Sequence, residues 1–149
     1  MTTRIAYQQI APDAVKMILP LEHHVRTSGL ESSLRHLVKL RASYLNGCAY
    51  CVDMHSKDAR HDGESERRLF AVPVWRETPF FTDRERAALR WTEVVTEIGR
   101  AGMPNDVYEA AREHFSEIEL VNLTMAVIAI NAWNRLAITF GTEVGPQDV

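Results

Sequence analysis

Apolar residues recur at helical spacing along almost the whole chain. Leu34, Leu37, Val38 and Leu45 fall on one face behind Glu31-Ser32-Ser33, which predicts a helix ended by Asn46-Gly47. A helix from about Cys48 to His61 follows, stopped by Asp62-Gly63, then a short one from Glu64 to Ala71 stopped by Pro73. Upstream, Pro12 is placed as a first-turn proline of a helix reaching about Arg26, before Gly29. Downstream, Thr82-Asp83-Arg84-Glu85 is a capping-box sequence for a helix carrying Ala88, Leu89, Trp91, Val94, Val95 and Ile98, ended by Gly99 to Gly102. Pro104 opens another helix through Phe115. Ser116-Glu117-Ile118-Glu119 is a second capping box, opening a long apolar helix to about Phe140. The tail from Gly141 to Val149 reads as irregular. Alternating β-branched runs are absent, so the pattern predicts an all-α single domain over residues 1–149, with about six or seven helices.

A shift of 83 residues aligns Leu37-Val38 and Leu40 with Leu120-Val121 and Leu123, and Cys48-Ala49-Tyr50-Cys51 with Asn131-Ala132-Trp133-Asn134. The register fits either a duplicated helix pair or chance recurrence of Leu and Ala in helical sequence.

Composition narrows the function. The 149 residues are 46% hydrophobic and 25% charged, a globular balance, and the net charge of -3 argues against nucleic acid as a partner. Met1-Thr2-Thr3-Arg4 does not lead into an apolar signal segment, and the strongly apolar run Ala126 to Ile130 is too short to span a bilayer. A cytoplasmic protein without a membrane partner is the expectation. In such a reducing compartment, two closely spaced cysteines are more often catalytic or metal-binding than structural.

Those two cysteines are the only ones, in Asn46-Gly47-Cys48-Ala49-Tyr50-Cys51-Val52-Asp53-Met54-His55. A bridge over so short a loop constrains little unfolded chain, so a structural staple is excluded, and a four-cysteine zinc site is excluded by count. A redox dithiol, a metal site borrowing histidines, or two inert buried residues remain. Residues three apart on a helix have Cβ atoms about 5–6 Å apart, so bridging this pair requires a modest distortion and gives a readily reduced bond. A helix N-terminus favours thiolate. His55, four residues beyond Cys51, is placed to serve its sulfur as base or proton shuttle. His36, twelve residues before Cys48, could fold back to the site if the Asn46-Gly47 bend reverses the chain.

From Leu37 through Cys48-Ala49-Tyr50-Cys51 to His55, the chain closely resembles the core of alkylhydroperoxidase D-like (AhpD-like) proteins of the carboxymuconolactone decarboxylase superfamily. Trp75 to Phe81 is similar to that group's middle connection, and Phe115 to Leu136 to its C-terminal helix. The resemblance implies an all-helical subunit that assembles into trimers or hexamers and acts as a thiol peroxidase without a bound cofactor. It implies Cys51 as the thiol oxidised by peroxide, Cys48 as the resolving thiol and His55 in the proton relay. The reductant would be an external dithiol, lipoyl-bearing or thioredoxin-like. Three positions depart from the family pattern. His36 stands where a relay glutamate is usual, Tyr44 where glutamine is common, and Tyr50 where the characterised peroxidase has histidine. A cation at position 36 would lower a thiolate pKa where a carboxylate would raise it.

Plainer roles are expected elsewhere: His23 and His24 at a helix end, Trp75, Trp91 and Trp133 in packing, and Glu119 in its capping box. Asn131 and Asn134, on an apolar helix, need partners and are expected to bond backbone at the CxxC bend or across a subunit interface. Beside the peroxidase stand two other classes. One is a metal-binding or lyase-type protein using Cys48, Cys51, His55 and His36. The other is a non-enzymatic redox-sensing oligomer.

Overall fold

The computed structural model describes residues 2–145, so the last four residues of the expected irregular tail lie outside it. Among the described residues the fold is all-α, with α1 (Tyr7–Ile10), α2 (Pro12–Lys16), α3 (Leu19–Thr27), α4 (Ser32–Asn46), α5 (Ala49–His61) and α6 (Glu66–Ala71). A 3₁₀ turn (Val72–Glu77) leads to α7 (Asp83–Thr96), α8 (Ile98–Ala101), α9 (Asn105–Arg112) and α10 (Glu117–Phe140).

Local chemistry sets most boundaries. Thr82 and Ser116 each accept from the backbone N–H three residues on, while Glu85 and Glu119 bond back to the cap N–H. Gly47 and Gly141 end α4 and α10 with φ of 69° and 66°, a left-handed conformation that glycine adopts without penalty. The single helix expected from Pro12 to Arg26 is instead broken at Met17 and Ile18. Pro20 is the cause: it has no N–H to give to Lys16, and its ring clashes with that residue's carbonyl, so it fits only in the first turn of a new helix. The chain also continues helically past Pro73, which takes an early position in the 3₁₀ turn. The helix expected through Ile98 ends at Thr96, and the one expected through Phe115 ends at Arg112.

Helix α4 is the central strut, packed against α5, α7 and α10. Its face toward α3, α7 and α10 carries Leu34 and Val38 into a cluster with Val25, Trp91, Leu123 and Val127. Its other face carries Leu37 and Leu40 against Ala59, Leu69, Val72 and Leu89. Leu37, Val38 and Leu40 are fully buried, at about 1.5–3 kcal/mol each, so packing outweighs intrinsic propensity in holding this helix. Buried Glu93 ties α7 to α4 and the 3₁₀ turn, accepting from Arg41 Nε at 2.9 Å, Trp75 Nε1 at 2.8 Å and Arg76. Burial pushes its pKa up, but the bonds from Arg76 and Trp75 and the charge of Arg41 outweigh that and hold it below the usual carboxylate range.

Helix α10, with mean hydropathy 1.3 over its most apolar stretch, is by length and composition able to cross a membrane, so the five-residue run weighed in the sequence understated it. Here it is a core helix whose Asn122, Asn131 and Asn134 bond within the fold. The 83-residue shift places Gly47 on Ile130. The first segment therefore turns where the second runs on as one unbroken helix, and the two shapes do not repeat.

Candidate active site

The cysteines sit where α4 gives way to α5. Gly47 turns the chain left-handed, and the Cys48 N–H donates to Ser43 O at 2.9 Å. Cys48 is the N-cap of α5 with extended φ and ψ of -86° and 91°, and its Sγ accepts from the Cys51 N–H at 3.3 Å. The spacing predicts this helix from about Cys48. The structure begins it at Ala49, which frees Cys48 from the helical i,i+3 separation. The two residues are joined as a disulfide with Cα atoms 5.3 Å apart. Both are almost fully buried, at 2% and 1% exposure.

An amide network supports the bend from below. Asn46 Nδ2 donates to Ala42 O, Asn131 Oδ1 and Asn134 Oδ1, each at 2.9 Å. Asn134 Nδ2 donates to Ser43 Oγ at 3.1 Å, and Asn131 Nδ2 to Thr96 Oγ1 at 3.0 Å and Val127 O at 2.9 Å. The asparagines of α10 thus meet the CxxC bend through the side chains of Asn46 and Ser43, and not through its backbone as expected.

Two cavities flank the pair. One, of about 350 Å³, is lined by Cys51 and His55 together with Tyr50, Met54, Trp133, Lys39 and Glu22. The other, of about 450 Å³, touches Cys48 but not Cys51 and is lined by Gly47, Tyr50, Ile138 and residues 141–144. Tyr50 and Ala137 line both and stand between them.

His55 is buried, with Nδ1 3.4 Å from Asp58 Oδ2 and no hydrogen-bond partner for Nε2. Burial and the charge of Lys39 lower its pKa from 6.5 to about 4, against the opposing pull of Asp58 and Glu22. At neutral pH it is an uncharged imidazole with a free nitrogen.

His36 is not brought to the cysteines. Its Nε2 lies 2.8 Å from Asp62 Oδ2, beyond the end of α5, in a separate cavity of about 250 Å³ with Ser32 and His61. Bonds from His36, His61 and Ser32 hold the Asp62 carboxyl down at about 2. The Asn46-Gly47 bend does reverse the chain, but α4 presents its next turn to the site instead. Lys39 lines the Cys51 cavity, with Nζ bound to Glu22 Oε2 of α3 at 2.9 Å. Sequence reasoning missed Glu22 and Lys39, and no spacing rule connects residues on separate helices. It assigned Trp133 to packing, whereas that ring lines the Cys51 cavity. Tyr44, the departure next to the bend, packs with the Leu37 and Leu40 cluster. Trp75 and Trp91 are buried core residues, His24 bonds Asn122, and Glu119 is engaged in its capping box with Arg84. Among the described residues, no three His, Cys, Asp or Glu side chains converge as metal ligands.

The family profile described as carboxymuconolactone decarboxylase matches residues 12–94. The uncharacterised protein YdfG of Bacillus subtilis (strain 168) is 38% identical over 147 residues, covering 99% of this chain and 100% of that protein. The crystal structure of ATU0492 from Agrobacterium tumefaciens, described as of unknown function and as a candidate antioxidant defence protein AhpD, superposes with a TM-score of 0.95 at 49% identity, covering 98% of this chain and 100% of that one. The debrominase Bmp8 shares the fold, with a TM-score of 0.83 at 16% identity over 93% of this chain and 74% of that one. The chain belongs to the carboxymuconolactone decarboxylase family, as an AhpD-like member.

Proposed function

We propose that this chain is a thiol-dependent peroxidase that reduces hydrogen or organic hydroperoxides in the antioxidant defence of a cytoplasmic compartment. One observation carries the reading: Cys51, bonded to Cys48, opens into a cavity beside a buried neutral imidazole with a free nitrogen. In the reduced protein, His55 takes the Cys51 thiol proton, and the thiolate attacks the outer peroxide oxygen. The O–O bond breaks, leaving a sulfenic acid on Cys51 and an alkoxide or hydroxide that recovers the proton from His55. Cys48 sulfur then attacks Cys51 sulfur; the S–S bond forms, and the sulfenic hydroxyl leaves with the Cys48 proton as water.

An external dithiol, lipoyl-bearing or thioredoxin-like, returns two electrons and leaves as its own disulfide. Exchange requires the incoming sulfur in line with the bond it breaks. The cavity that touches Cys48 alone supports attack there, with Cys51 as the leaving thiolate. Exposed Ile118, Val121 and Ile128 along α10 support a homo-oligomer, trimeric or hexameric, buried on that face.

The near-complete burial of both sulfurs favours a second reading, a redox sensor oxidised once and slowly. Peroxide consumption with a dithiol donor separates the two. Wild type turns over repeatedly, Cys51→Ser consumes none, and Cys48→Ser reacts once and accumulates sulfenic acid. Full consumption by Cys51→Ser refutes the peroxidase assignment.

A further inference from the structure

The cavity beside Cys51 poses a problem of charge. Attack on a peroxide needs a thiolate, and it passes negative charge from sulfur to a departing oxygen. Buried His55 is neutral near pH 7 before the reaction, and with its pKa lowered to about 4 it holds the Cys51 proton only weakly, so it does not stabilise the thiolate by itself. Among the described residues, Lys39 is the cation lining that cavity. Its Nζ is fixed 2.9 Å from Glu22 Oε2, and the two side chains are only 18% and 24% exposed. An ammonium has three N–H donors, and Glu22 is the one partner Lys39 bonds among the described residues. The remaining donors are free for whatever occupies the cavity.

We propose that Lys39 is a catalytic cation of this site, stabilising the Cys51 thiolate and the oxygen that leaves the peroxide, and that Glu22 is the residue that positions it. The inference rests on the peroxidase reading and supplies the charge that reading needs. In this arrangement the ionic partner of the chemistry comes from α3 and the next turn of α4, not from position 36. The pair also lines the cavity that holds His36, so it stands between His36 and Cys51.

The ionisable groups around the cavity are Tyr7 of α1, Glu22 of α3, Lys39 of α4, and Tyr50, His55 and Asp58 of α5, with Cys48 at the bend. Helix α10 contributes Trp133 and Ala137, which do not titrate. Lys39 is thus the one side chain there that carries a standing positive charge, and the carboxylates of Glu22 and Asp58 oppose it.

Titration of the Cys51 thiolate by its ultraviolet absorbance, in a Cys48→Ser background so that one thiol reports, tests the assignment. Lys39→Met is expected to raise the Cys51 pKa by about one unit or more, Glu22→Gln to lower it, and Lys39→Arg to stay near the parent. In the otherwise wild-type chain, Lys39→Met should slow oxidation by hydrogen peroxide about tenfold or more at pH 7, with partial recovery as pH rises. A merely structural tie between α3 and α4 would move stability in both variants and leave the thiol pKa alone. Shifts in the same direction, or none beyond about 0.3 unit, overturn the proposal. An unmoved titration with intact peroxide consumption refutes Lys39 and spares the peroxidase reading. The expected titration without peroxide consumption by wild type refutes that reading and leaves thiolate stabilisation standing.

Discussion

Replacing Asn134 by Leu tests whether the amide network beneath the cysteines holds the bend. Asn134 is fully buried; it accepts from Asn46 at 2.9 Å and donates to Ser43 Oγ at 3.1 Å. Leucine removes both bonds. Asn46 keeps Ala42 O and Asn131 Oδ1, but the Ser43 hydroxyl, also fully buried, loses the partner that donates to it. Two lost bonds at about 1 kcal/mol each, plus about 1–2 kcal/mol for the stranded hydroxyl, give a loss of about 3–4 kcal/mol. In a chain of this size that lowers the melting temperature by roughly 6–16 °C. Chemical denaturation of the oxidised protein measures the loss, and a double-mutant cycle assigns it. Ser43→Ala removes the stranded hydroxyl, so the double variant should lose less than the sum of the singles, by about 1–2 kcal/mol. A loss below about 1 kcal/mol, or strict additivity, would show that the network does not support the turn.

His55 and His36 give contrasting predictions. The folded-state pKa of His55, about 4, lies below its unfolded value of 6.5, so the unfolded chain binds the extra proton between those limits. Stability is full above pH 6.5 and falls as the pH drops toward 4, by about 3 kcal/mol. His55→Gln should flatten that limb in pH-dependent unfolding, and an identical slope in both proteins would contradict a buried neutral imidazole. His36→Gln removes the bond to half-exposed Asp62, so a stability loss of no more than about 1 kcal/mol is expected. Peroxide consumption should stay within about twofold of wild type, and a tenfold loss would return His36 to the proton relay.

Residues close in sequence carried much of the structure in plain view. The capping boxes at Thr82 and Ser116 formed as read, and the Asn46-Gly47 bend set Cys48 at a helix start, with Cys51 and His55 sharing one cavity. Those features obey i,i+3 and i,i+4 geometry, which a sequence displays directly. The break before Pro20 is equally local in origin, since the ring acts on the turn that precedes it.

Other features depend on how helices cross. Position 36 and position 39 are one turn apart on α4 and line one cavity together, yet His36 meets Asp62 at the far end of α5 while Lys39 also lines the Cys51 cavity, because α5 runs back along α4 from the bend. Glu22 reaches Lys39, and Asn134 reaches Asn46, across 17 and 88 residues of chain. By itself the sequence determined the helices, their caps and the dithiol, since each is settled within a turn or two of backbone. Tertiary packing alone decided which charges and amides surround the thiols. Those partners are fixed by interhelical angles and burial, which no local spacing encodes.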